Sequence, residues 1–140
     1  MSSKTRCDEI IRFARNIRDN WGNDPFEIAK KCGFVVVECE DKTPTGSTIL
    51  VPNYFTVITL NGCKTDASRY VICAHELGHA LLHDDMAINR FNGTSDSQQD
   101  ECEYEANLFA VALLIDEKDL NIPLREMENW MLKGILDYNI

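Results

Sequence analysis

Apolar positions recur along this chain in two rhythms, which divide it into a helical start, a short run of strands and a helical remainder. Between residues 7 and 20, Ile10, Ile11, Phe13, Ala14 and Ile17 fall on one helical stripe with arginines outside it. Trp21-Gly22-Asn23-Asp24-Pro25 interrupts that helix, and Pro25 opens a short one over 26–32, closed by Gly33. Residues 34–39, 47–51 and 54–60 then read as strands, separated by turns at Thr43-Pro44-Thr45-Gly46 and Pro52-Asn53. Their spacing predicts a small antiparallel sheet.

A polar connection over 61–66 leads into a helix over 67–83. Its residues Val71, Ile72, Cys73, Ala74, Leu77, Ala80, Leu81 and Leu82 leave almost no polar face, so it is expected to sit centrally, packed on most sides. Residues 84–100 read as a polar loop turning at Asn92-Gly93-Thr94-Ser95, and 101–114 as a third long helix. The remainder, 116–140, leans helical but is interrupted at Ile122-Pro123 and Gly134. The expected class is α+β, in one domain over 1–140: N-terminal helices (5–32), sheet (34–61), central helix (67–83), a further helix (101–115) and a helical tail (116–140).

Composition narrows the partners. A chain of 140 residues is long enough to bury a core without disulfides or metal. The net charge of −9, with no basic run, argues against direct nucleic-acid binding, which needs clustered Lys and Arg. It suits a basic protein partner without naming one. Six cysteines show neither a CxxC pair nor a repeating spacing, so no disulfide scaffold is expected. Cys73 and Cys102 read as small buried hydrophobes, and Trp21 and Trp130, among apolar helical neighbours, as packing residues. The first 20 residues lack an apolar signal core, and no stretch approaches the roughly 18 apolar residues of a membrane span. The expected location is the cytoplasm.

The chemistry lies in His75-Glu76-Leu77-Gly78-His79. Histidines four apart on a helix stack on one face, about 6 Å apart along the axis, where one metal ion can bridge them. The adjacent Glu76 is then placed to take a proton from a water at that ion. This is the HExxH arrangement of zinc peptidases.

A catalytic zinc usually takes a third protein ligand. His83 extends the series but lies about 12 Å along the helix from His75, and reads as a supporting residue behind the ligands. Asp85 holds the third-ligand position of HExxHxxGxxH zincins or their aspartate variant, but Leu82 stands where those need a turning glycine. The acidic cluster Glu101, Glu103 and Glu105 remains. With Asp100 at zero, Glu101 and Glu105 fall near about 100° and 140° on a polar arc with Ala112, and Glu103 near about 300° on the core side with Ala106, Asn107 and Ala110. An inward carboxylate needs a partner: a metal ion, the favoured reading, or an arginine. Asn107, one turn on, faces the same side and can accept a hydrogen bond from a ligating histidine's free N–H.

The stretch His75-Glu76-Leu77-Gly78-His79-Ala80-Leu81-Leu82-His83, followed by Glu103-Tyr104-Glu105-Ala106-Asn107-Leu108-Phe109-Ala110-Val111-Ala112-Leu113-Leu114, resembles the ImmA/IrrE family of metallopeptidases. Family members typically show HELGHxLLH and then ExxAN-x-FA-x-x-LL. The upstream strand and the segments Asp24-Pro25-Phe26-Glu27-Ile28-Ala29 and Gly33-Phe34-Val35-Val36 fit as well, so the similarity covers roughly residues 8 to 115. The chain departs at Ile115-Asp116, where members commonly have Met-Pro, and after about Leu120 no clear match is visible.

The resemblance implies a small zincin-like fold with a gluzincin-like site: His75, His79 and Glu103 holding Zn2+, and Glu76 as general base. It also implies a bacterial setting, in which such proteins are often encoded beside phage-type repressors on mobile elements or prophages and inactivate them, by cleavage or otherwise. The expected function is therefore an endopeptidase acting on a helix-turn-helix repressor. The alternative is a zinc-containing binding module that inactivates a regulator stoichiometrically, although a purely structural site has no need of Glu76. The substrate is expected along an exposed edge strand, residues 56–60. Tyr54, Tyr104 and His83 are candidates for stabilising an oxyanion, and the loop 84–99 is expected to rim the cleft.

Overall fold

The computed structural model describes residues 3–40, 45–51, 55–62, 65–83 and 96–138. They form α1 (Ser3–Trp21), α2 (Pro25–Lys31), β1 (Val35–Cys39), β2 (Thr45–Val51), β3 (Phe55–Asn61), α3 (Asp66–Leu82), α4 (Asp96–Leu114) and α5 (Asn129–Tyr138). Single 3-10 turns at Glu117–Asp119 and Leu124–Glu126 join α4 to α5. The architecture is α+β, a small zincin-like domain.

Local chemistry sets the helix ends. The Asp24 carboxylate accepts from the Phe26 N–H at 2.9 Å and Pro25 opens α2. Gly33, at φ +79°, then supplies the left-handed residue that turns the chain into β1. Thr65 caps α3 by accepting from Ser68 N–H at 3.1 Å. Gly134, predicted to break the tail, lies inside α5.

The sheet order is β1-β3-β2, with β2 antiparallel and β1 parallel to β3. The expected all-antiparallel sheet is therefore replaced by a mixed one. β2 occupies one side of β3 and leaves β1 only the other, which it joins running the same way. Residues 56–60, expected at an exposed edge, are consequently central. Thr45 and Gly46 belong to β2 rather than to a turn, while 41–44 and the Pro52-Asn53 turn lie outside the described residues. One face, with Thr48, Thr56, Ile58 and Leu60, is buried against the helices; the other leaves Val35, Val37, Ile49 and Phe55 exposed.

The core centres on α4, where Ala106 to Leu113 are all buried. Cys7, Ile10, Ile11 and Ala14 of α1 pack against it, as do α3 and, through Leu132 and Leu136, α5. Burial of each large aliphatic side chain contributes about 1.5–3 kcal/mol. Crossing of α3 over α4 depends on Gly78, where a Cβ would lie 3.2 Å from Ala106 Cα.

Three expectations fail for the same reason: neighbouring elements decide burial. Ala112 and Glu105, placed on a polar arc, are buried because α1 lies across that side of α4. Arg18 of α1 donates to the Ala112 and Ile115 carbonyls, both at 3.2 Å. Trp21 is 43% exposed at the last residue of α1, beneath the Lys31 ammonium, and Trp130 is 68% exposed on the outer side of α5. Cys73 is buried and Cys102 half-buried, and no disulfide joins the cysteines among the described residues. No helix among those residues is long and apolar enough to cross a membrane.

Candidate metal centre

His75 and His79 stand one turn apart on α3, their ring centroids 4.7 Å apart and the rings nearly perpendicular. Gly78, between them in sequence, lets α4 approach, and α4 presents Glu103 one turn before the Ala106 contact. The Glu103 carboxylate reaches both imidazoles: Oε2 lies 3.0 Å from His75 Nε2 and Oε1 2.9 Å from His79 Nε2. The three potential donor atoms lie within 4.8 Å of one another. Two imidazole nitrogens and one carboxylate oxygen form a donor set suited to a borderline-soft divalent cation such as zinc. The residues present fit such an ion.

The electrostatics agree with that fit. Burial alone would raise the Glu103 carboxyl, but hydrogen bonds and charge from both histidines outweigh it and hold the group well below the usual range. At His75, burial opposes the charged form, yet Glu103, Glu76 and a hydrogen bond with Asn107 raise it. The charged carboxylate form of Glu103 is thus favoured at the site, the form that a bound cation would need. The site is also open on one side, with the Glu103 side chain 40% exposed and His79 only 1%.

Glu76 points from α3 to β2. Thr48 Oγ1 lies 2.7 Å from Glu76 Oε1, donating to that buried carboxylate, and 3.0 Å from the Glu76 carbonyl. The strand passes closely: a Cβ at position 46 would lie 2.6 Å from Ile72 Cγ2 and 2.8 Å from Glu76 Cγ. Neither Thr48 nor Gly46 was visible as a site residue in the sequence, where Gly46 reads as a turn.

The supporting side chains sort clearly. Asn107 meets His75, and its Nδ2 donates to Asn129 Oδ1 at 2.8 Å. His83 lies behind His79 and against Glu105. Glu101 is exposed, and Asp85, Tyr54 and most of the predicted 84–99 rim lie outside the described residues. From Asp96 onward that rim is already α4. The Tyr104 hydroxyl sits against Cys7 Sγ at 3.0 Å and the Met127 carbonyl at 3.4 Å, which removes it from the oxyanion candidates.

The model of the IrrE N-terminal-like domain, the Peptidase_M78 family, matches residues 29–133, which include α3, α4 and β2. The chain belongs to this family. Peptidase_M78 is a metallopeptidase family, and its match extends into the first half of α5, past the point near Leu120 where the motif similarity fades, while α1 lies before it. The chain is also 38% identical over 60 residues to "Uncharacterized immunity region protein 2" of Bacillus phage phi105, an alignment covering 43% of this chain and 38% of the phage protein. No solved structure matches.

Proposed function

We propose that this Peptidase_M78 protein is a zinc-dependent endopeptidase that cleaves a helix-turn-helix repressor of a phage or mobile element in the cytoplasm. The observation that carries this reading is the approach of His75, His79 and Glu103 to one another, with Glu76 held alongside by Thr48. The first three would hold the zinc, which when bound supplies Lewis acidity toward the attacking water and the scissile carbonyl. Glu76 takes the proton from the water as the C–O bond forms, and delivers it to the amine as the C–N bond breaks. Thr48 keeps Oε1 of that carboxylate fixed, which leaves Oε2 for the proton. Asn107 accepts from the His75 ring and fixes its orientation.

Substrate would lie extended along the outer edge of β2, which no described strand covers. Main-chain hydrogen bonds would hold it there, beside Glu76. The name of the phage relative supports a partner from an immunity region, and the acidic chain suits a repressor with a basic DNA-binding face. Incubation with a repressor encoded beside the gene tests the proposal. Fragments that appear without chelator and vanish with it are expected; an intact repressor held in a stable complex, unaffected by Glu76→Gln, would make the protein a stoichiometric binder.

A further inference from the structure

Behind the candidate metal centre, a continuous chain of polar contacts runs from His79 to the protein surface. His79 Nδ1 lies 3.1 Å from His83 Nδ1, and His83 Nε2 lies 2.9 Å from Glu105 Oε1. Arg6 closes it from α1, with Nε 3.1 Å from Glu105 Oε2 and Nη2 3.2 Å from Oε1. The His79, His83 and Glu105 side chains are 1%, 7% and 9% exposed, whereas Arg6 is 37% exposed at the outer end.

We propose that His83, Glu105 and Arg6 are positioning residues that fix the tautomer and orientation of His79 for metal binding. This rests on the reading of His79 as a ligand through Nε2. A neutral imidazole that ligates through one nitrogen carries its proton on the other. His79 therefore donates from Nδ1, and His83 Nδ1 must accept. The His83 proton is then on Nε2, aimed at the Glu105 carboxylate, which accepts from His83 and twice from Arg6. Every atom along the chain has one role. Reversing the His83 tautomer would set two N–H groups against each other and a lone pair against a carboxylate, in a place where water cannot repair the mismatch.

The two imidazoles are thereby held differently. His75 meets the neutral amide of Asn107, whereas His79 is backed by a carboxylate through an intervening histidine. Carboxylates behind ligating histidines orient the ring and raise its basicity. Here that carboxylate is anchored by α1, which precedes the residues matched by the family model, so the metal centre extends beyond them.

The test uses the zinc-loaded full chain labelled with 15N-histidine. Long-range 1H–15N spectra are expected to show His79 protonated at Nδ1 and His83 at Nε2; a His83 protonated at Nδ1 overturns the proposal. In parallel, zinc affinity is measured by chelator competition for Glu105→Gln and Arg6→Met, each first checked for folding without metal. A weakening of about 10- to 100-fold is expected for Glu105→Gln, with a smaller one for Arg6→Met. If Glu105→Gln fails to fold, Arg6→Met and the tautomer spectrum decide. Glu103→Ala separates the two levels. Should it lose zinc while Glu105→Gln and Arg6→Met bind like the parent, the chain of positioning residues is refuted and the metal centre stands. Should Glu103→Ala itself bind like the parent, the metal centre as read here fails.

Discussion

Glu76 and Thr48 separate what a side chain does from what holds it in place. Glu76→Gln keeps the size and the Thr48 contact but removes the proposed base, so kcat is expected to fall by about 10²- to 10⁴-fold with zinc content unchanged in atomic emission. Thr48→Val keeps the shape and removes one hydrogen bond to a charged group, an effect of about 1.5–3 kcal/mol. It should lower kcat by roughly 10- to 100-fold with little change in KM, as measured by initial rates on a cleaved repressor. Of the two residues, only Glu76 was legible in the sequence. The helical repeat brings His75, Glu76, His79, Glu103 and Asn107 onto readable faces, because their relations are local to α3 or to one side of α4. The Thr48 contact spans 28 positions between a strand and a helix, and no periodicity encodes it. Glu105 was misread for the opposite reason: its arc on α4 is charged, but α1 brings Arg6 and α3 brings His83 to meet it.

The site depends on two close approaches between elements, each made possible by a glycine. At Gly78, a Cβ would meet Ala106 Cα and Phe109 Cδ1, both at 3.2 Å, so a branched side chain must push α4 away from α3. Gly78→Val is expected to destabilise the fold by about 1–3 kcal/mol through overpacking. Because Glu103 rides on α4, the same variant should also weaken zinc binding, and thermal melts beside chelator competition check both effects. Gly46→Ala acts at the other approach. Its methyl group would crowd Ile72 and the Glu76 side chain itself, so activity should fall further than stability, read as a kcat loss larger than the change in melting temperature accounts for. Elements were legible to different degrees. The long helices announced themselves by their stripes, whereas strand order did not, since β1 pairs with a strand that is not its neighbour in sequence. That pairing moved the proposed substrate edge from β3 to β2.

For the molecule as a whole, α3 and α4 are joined in the core by Gly78 and at the site by Glu103, so a metal binding both helices should stabilise the entire fold. The linkage is quantitative: an ion bound by the folded chain alone adds about 2.7 kcal/mol at a free concentration one hundred times its dissociation constant. A chain of 140 residues should therefore lose about 5–11 °C of melting temperature when chelator removes zinc under those conditions. Calorimetry with and without chelator measures that difference. Glu103→Ala should melt at one temperature in both buffers, because the carboxylate connecting α4 to the histidines of α3 is gone. Glu76→Gln should keep the full difference, since its side chain faces β2 and Thr48 rather than the Glu103 carboxylate. A chelator shift that survives Glu103→Ala and disappears with Glu76→Gln would interchange the two glutamates' roles. The base would then be the residue on α4, and the mechanism would have to be rebuilt around it.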